Sequence, residues 1–156
     1  MSLSADELYA ELRRQFFYGS IKEEKRQNAL FEPLGINYST FRCLLFLRDN
    51  PNGAEPSKMG DELIILRQTI TSIVDQLDRK GLVERLPHPT DRRRILVKLL
   101  PEGLDLANKA AAVSKEYYRR ITSYFTEEEM DEYIATRNRM CDVRDEVLES
   151  ILAERE

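Results

Sequence analysis

Between Arg67 and Gly81 the chain carries one sharp apolar stripe. Ile70, Ile73, Val74 and Leu77 recur at i, i+3, i+4 and i+7, the spacing that gathers side chains on one face of a helix. Off that stripe lie Arg67, Gln68, Thr69, Thr71, Ser72, Gln76 and Arg79, a polar face interrupted in its middle by Asp75. Lys80-Gly81 closes the helix, with Gly81 suited to the left-handed position past its end. Two short strands are predicted next, at Leu82–Leu86 and Ile95–Leu99. The linking run Pro87-His88-Pro89-Thr90-Asp91-Arg92-Arg93-Arg94 reads as a hairpin loop with three arginines on its far side. A helix that buries one stripe and is followed at once by an arginine-tipped hairpin leaves few architectures open.

The flanks narrow them further. Ser4-Ala5-Asp6-Glu7 is a capping-box pattern, and Leu8, Leu12 and Phe16 follow at helical spacing, so a long first helix is predicted from about Ser4 to about Leu30. Pro33 and Gly35 end it. Asn37 can cap a second helix, which the Asp49-Asn50-Pro51-Asn52-Gly53 run stops. A short third helix fits Pro56 to about Leu63. Beyond Pro101-Glu102-Gly103 the chain returns to helix through about Tyr124. Thr126-Glu127-Glu128-Glu129 is a second capping box, opening a last helix whose stripe includes Met130, Ile134, Cys141, Leu148 and Ile151. The terminal helices are too long and too amphipathic to stand alone in water. The expected fold is mainly α with a small β-hairpin wing. The expected divisions are residues 1–34, an N-terminal helix; 35–100, a winged helix-turn-helix; and 101–156, the C-terminal helices. Leu8, Leu12, Met130, Ile134, Cys141, Leu148 and Ile151 are the residues of these helices expected to pack against a partner surface.

Total charge by itself argues against a nucleic-acid partner, since the 156-residue chain carries a formal net charge of −4. Its distribution reverses that reading. Residues 67–98 hold eight Lys/Arg against four Asp/Glu, a net of +4, whereas residues 126–156 hold four against eleven, a net of −7. DNA responds to the local field, not to the total. The same composition excludes other classes. No apolar run approaches the roughly 20 residues that span a bilayer, and the N-terminus has no basic region leading into an apolar core, so a cytoplasmic protein is expected. One histidine, His88, and two distant cysteines, Cys43 and Cys141, supply no zinc ligand set. No cofactor and no enzymatic activity are expected: His88 sits between two prolines, and no carboxylate pair is singled out by its spacing.

The helix and hairpin suit DNA by different chemistry. Gln, Arg, Thr and Ser match the donors and acceptors of the major groove, so Arg67, Gln68, Thr69, Thr71, Ser72 and Gln76 are candidates there. The narrow, negative minor groove attracts arginine. Arg93 is the expected insertion, with Arg92 and Arg94 facing phosphates, while Asp91 orients a neighbouring guanidinium or caps the turn. Tyr38, Ser39 and Thr40 could add phosphate contacts through amides at the start of the second helix. Each signal alone has a bland reading, as a solvated helix face or a solvated turn. Their order and spacing together are more specific.

Gly81-Leu82-Val83-Glu84-Arg85, then Asp91-Arg92-Arg93-Arg94-Ile95-Leu96-Val97-Lys98-Leu99, then Glu102-Gly103, closely resemble the MarR family of bacterial and archaeal transcriptional regulators. Thr69 to Leu77 looks like that family's recognition helix. The resemblance implies a homodimer in which residues 1–34 and 101–156 are the dimerisation helices, with the stripe residues named above at the dimer interface, and 35–100 the DNA-binding domain. It further implies a pseudo-palindromic double-stranded operator, Arg93 in the minor groove and Arg67 to Ser72 in the major groove. It also implies a repressor released by a small lipophilic or phenolic effector. Three positions depart from the pattern. Leu66 stands where the recognition helix usually has a Ser-like cap, Ile64 where the preceding turn often has Gly, and Leu100 where a Thr usually caps the next helix. A lost cap typically costs about 0.5–2 kcal/mol. Two alternatives stand beside the regulator: a winged-helix module that binds protein, and a thiol-based redox sensor using Cys43.

Overall fold

A computed structural model describes residues 4–155. Helix α1 spans Ala5–Phe31 and runs into a 3-10 turn at Glu32–Leu34. Pro33 occupies the first turn of that 3-10 segment, where its missing N–H costs nothing. Helices α2 (Tyr38–Asp49), α3 (Pro56–Leu63) and α4 (Arg67–Arg79) follow. Strands β1 (Val83–Pro87) and β2 (Ile95–Leu99) then precede α5 (Pro101–Thr122) and α6 (Glu127–Ala153). Both capping boxes close as expected: Ser4 with Glu7, and Thr126 with Glu129. The first strand lies one residue later than the sequence predicts, and α5 stops two residues short of Tyr124.

The chain forms two compact units, one reaching Ser114 and the other starting at Lys115. The boundary falls within α5. In the first unit the stripe of α4 does what its period demands. Ile70, Ile73, Val74 and Leu77 are all buried, against Cys43, Leu44 and Leu47 of α2, Met59 of α3, Val83, Val97 and Ala107. A second cluster joins Phe31 of α1, Phe41 of α2 and Ala110 of α5, with the Phe31 and Phe41 rings stacked 4.2 Å apart. Aromatic pairs of this kind contribute about 0.5–1.5 kcal/mol beyond the area they bury.

The hairpin is antiparallel, pairing Val83 with Leu99 through Pro87 with Ile95. A third short piece extends it. Ala54 exchanges both backbone hydrogen bonds with Val97, at 2.9 and 2.8 Å, which ties the segment before α3 to the sheet. Gly81 takes the left-handed conformation expected of it, with φ 67°. Gly103 serves a different purpose. A Cβ there would lie 1.9 Å from the Leu82 carbonyl oxygen, so α5 packs against the start of the hairpin at a distance only glycine permits. That carbonyl also accepts the Leu100 amide at 3.0 Å. Leu100, which lacks the hydroxyl of a capping residue, therefore docks through its own backbone.

Ile64 has φ 51° and ψ 51° and is the one non-glycine residue with positive φ among the described residues. A β-branched side chain in that region costs on the order of 1–2 kcal/mol. Leu66 precedes α4 with no side-chain hydrogen bond to the helix. Both departures noted in the sequence are thus real features of the turn between α3 and α4. Arg42 stabilises the turn from outside, donating to the Leu63 carbonyl at the end of α3.

In the second unit α6 buries none of its residues. Tyr133, Ile134, Val147, Leu148 and Leu152 are each about half exposed. An amphipathic helix of 27 residues with an uncovered apolar face is unfinished as a monomer.

Candidate nucleic-acid interface

The outer face of α4 is open. Arg67, Gln68, Thr69, Thr71, Ser72, Gln76 and Arg79 are all exposed, while the stripe behind them is sealed. Three of these groups donate within the helix: the Thr71 hydroxyl to the Arg67 carbonyl at 3.0 Å, the Gln76 amide to the Ser72 hydroxyl at 3.4 Å, and the Arg79 Nε to the Asp75 carbonyl at 3.1 Å. Thr71 therefore has its hydroxyl hydrogen committed within its own helix.

Asp75, which the sequence marks as out of place on this face, has a partner the local pattern does not reveal. Arg85 of β1 donates to Asp75, and its Nε lies 2.9 Å from Oδ2 of Asp78. Both carboxylates of α4 are matched by one guanidinium from the hairpin. The hydrogen bond to Asp75 is the main cause of the upward shift of the Arg85 pKa. These ion pairs are partly exposed and contribute little to stability one by one. Their geometric effect is larger, because they fix the hairpin against the helix.

At the tip of the wing, Asp91 organises the turn. Its Oδ1 accepts the Arg93 amide at 3.0 Å and its carbonyl accepts the Arg94 amide at 3.0 Å. The loop is closed from the other side by the His88 amide donating to the Arg94 carbonyl at 3.1 Å. Arg93 is displayed with its side chain 93% exposed, and its Nε is 3.6 Å from Asp91. Arg92 is exposed as well.

Arg94 departs from expectation. Its guanidinium forks onto Glu55, with Nε 2.6 Å from Oε2, and His88 Nε2 lies 3.6 Å from the same carboxylate. A bidentate arginine–carboxylate pair is among the stronger side-chain contacts. In this arrangement Arg94 ties the base of the wing to the residue just before α3, with its own side chain still half exposed. The start of α2 is likewise less available than the sequence suggests. The Tyr38 amide donates to Asn28 Oδ1 at 2.9 Å and the Thr40 amide to Asn37 Oδ1 at 2.8 Å. Thr40 itself is buried, and Tyr38 and Ser39 are half-buried. Neither Asn28 nor Glu55 gives any local sign in the sequence of these roles, since their partners lie 10 and 39 residues away.

Cys43 is fully buried within the first core, and burial pushes its thiol up to about 11. A thiol that is buried and held protonated at neutral pH is a poor nucleophile, so burial weighs against the redox alternative at Cys43. Cys141 is exposed on α6. Among the residues expected at a dimer interface, Leu8, Ile134, Leu148 and Ile151 are 42–54% exposed, and Leu12 and Met130 are half-buried. No described helix is long and apolar enough to cross a membrane.

A helix-turn-helix whose second helix presents a polar face, braced to an arginine-tipped hairpin, defines a winged-helix nucleic-acid-binding domain. Residues 34–94 match the model of the MarR family. The chain is 31% identical over 112 residues to the HTH-type transcriptional regulator PecS of Dickeya dadantii (strain 3937), covering 70% of this chain and 68% of that one. It is 38% identical over 81 residues to the homoprotocatechuate degradative operon repressor of Escherichia coli, covering 47% of this chain and 55% of that one. A mutant of MarR from E. coli, solved in complex with operator DNA, superposes with a TM-score of 0.70 at 26% identity, covering 86% of this chain and 98% of that one. The chain belongs to the MarR family and is a DNA-binding transcriptional regulator.

Proposed function

We propose that the protein is a cytoplasmic homodimeric repressor that binds a pseudo-palindromic operator and is released by a small molecule. The observation that carries the DNA mode is the bracing of two probes on one unit. The exposed face of α4 and the Arg93 tip are held together by Arg85, Asp75 and Asp78. Arg67, Gln68, Thr69, Thr71, Ser72 and Gln76 meet base edges and phosphates of the major groove, and Arg93 enters the minor groove with Arg92 on the flanking backbone. Functionally, residues 35–100 act as the DNA-binding part and the flanking segments as the dimerisation part. The uncovered apolar faces of α1 and α6 support that division. Two-fold symmetry then duplicates the probes and demands a two-fold operator.

The effector reading rests on a cleft of about 570 Å³ in the first unit, lined by Asn28, Glu32, Ile36, Asn37, Gln76 and Lys80 among others. Gln76 lies in the last turn of α4 and Lys80 directly after it, so an occupant there touches the DNA-reading helix directly. The polar lining suits a phenolic compound better than a purely lipophilic one. The E. coli relative named as repressor of a homoprotocatechuate degradative operon is consistent with this class.

Titrating the full-length protein against the DNA upstream of its own coding region, at several salt concentrations, tests the reading. The expected result is tight binding whose logarithm falls linearly with log salt. Salt-insensitive behaviour, or no binding by a folded dimer, would refute it.

A further inference from the structure

The turn between α3 and α4 contains two large aliphatic side chains that do nothing for the fold. Ile64 is 91% exposed and Leu66 is 78% exposed. Ile65 between them packs against the core, so its two neighbours face away from it. Each residue also opposes local structure. Ile64 adopts a left-handed conformation that a glycine or asparagine would take with less strain. Leu66 fills the position before α4 where a serine or aspartate would accept a helix amide. Two poor choices for folding, both apolar and both in solvent, point to a contact made outside the chain.

The surroundings say which contact. Leu66 is followed directly by the exposed Arg67, Gln68 and Thr69, so the aliphatic pair is continuous with the DNA-reading face. Residues 63–74 contain no acid. Nearby Glu62 faces Lys58 at 3.6 Å. A duplex major groove offers one apolar group on its base edges, the C5-methyl of thymine. We propose that Leu66, flanked by Ile64, reads thymine methyl groups at the outer end of the α4 contact. This rests on the DNA-binding reading above.

Single thymines of the operator are replaced in turn by deoxyuridine, which lacks only the methyl, and binding of the full-length protein is followed by fluorescence anisotropy. The expected loss for the wild type is about fourfold per contacted methyl, the scale of one desolvated carbon. Leu66→Ser should melt at a higher temperature, because it regains a cap, yet bind thymine and deoxyuridine operators equally. Ile64→Asn should also melt higher and show a reduced difference. Tight wild-type binding with no sensitivity to deoxyuridine overturns the inference and leaves the DNA reading intact, as does a Leu66→Ser variant that still discriminates. Loss of self-association in Leu66→Ser with unchanged discrimination would assign the pair to a protein contact and equally overturn it. No wild-type binding to any duplex would overturn both readings.

Discussion

Replacing Gly103 by alanine should be among the most damaging single-methyl changes in this molecule. The added Cβ would sit 1.9 Å from the Leu82 carbonyl oxygen and 2.9 Å from its carbon. Both are backbone atoms, so no side-chain rotation relieves the clash. Real Cβ contacts stay beyond 3.0 Å, so α5 and the start of the hairpin must separate by about 1.1 Å or more. That movement strains the Leu100 amide bond to the same carbonyl, now 3.0 Å long. Overpacking typically costs about 1–3 kcal/mol, and leaving a buried backbone group unpaired about 1–3 kcal/mol more. Alanine returns roughly 1 kcal/mol through its better helix propensity. A net destabilisation of about 3 kcal/mol is expected, which for a chain of this length lowers Tm by about 6–12 °C. Thermal melting followed by circular dichroism, at fixed protomer concentration, measures it. Amide exchange at Leu100 should accelerate in the same variant. A Tm equal to or above that of the wild type would show that the close approach of α5 to Leu82 is not a constraint, and the packing argument would fail.

Other perturbations separate the remaining roles. Arg93→Ala should weaken operator binding and lower the salt slope by about one, with the dimer intact in analytical ultracentrifugation; an unchanged slope would place Arg93 away from the DNA. Glu55→Gln should free Arg94 from its fork and raise that slope by about one, whereas no change would mean that Arg94 stays at the base of the wing without its carboxylate. Charged residues in place of both Ile134 and Leu148 should dissociate the dimer, and a stable DNA-binding dimer afterwards would exclude α6 from the interface. In Cys43→Ser and Cys141→Ser single variants at pH 7, the exposed Cys141 should react with a thiol reagent in the native state and Cys43 hardly at all. The raised Cys43 pKa lowers its thiolate population by about a hundredfold. Because the folded value is raised, this group's stabilisation is complete below its ordinary value of 9.0 and is lost as pH rises through about 11. Rapid native labelling of Cys43 would contradict its burial.

How far the sequence carries depends on the range of the interaction. The α4 stripe, Gly81 and both capping boxes are local patterns, and local patterns are legible because neighbouring residues decide them. Asp75 shows the limit. Its chemistry looks wrong for a DNA-reading face until Arg85, ten residues on, is folded back beside it. Arg94 reads as a DNA probe until Glu55, 39 residues earlier, appears under its guanidinium. The bridge from Ala54 to Val97 has no periodicity to betray it, since one residue pair makes no pattern. Ile64 and Leu66 behaved in the opposite way: the sequence marked them as irregular, and the structure shows both in solvent.

The Arg85 clasp has a consequence for operator geometry. Helix α4 and the hairpin cannot shift independently without breaking its ion pairs to Asp75 and Asp78. The tip of the wing therefore rides at a set offset from the reading helix, like the second jaw of a caliper. If α4 and the wing read the two grooves as proposed, a site that carries the right bases but spaces its grooves differently should engage only one jaw. On that reading an operator is a length as well as a sequence, and inserting a base pair between the two proposed contacts should be felt as strongly as changing a letter.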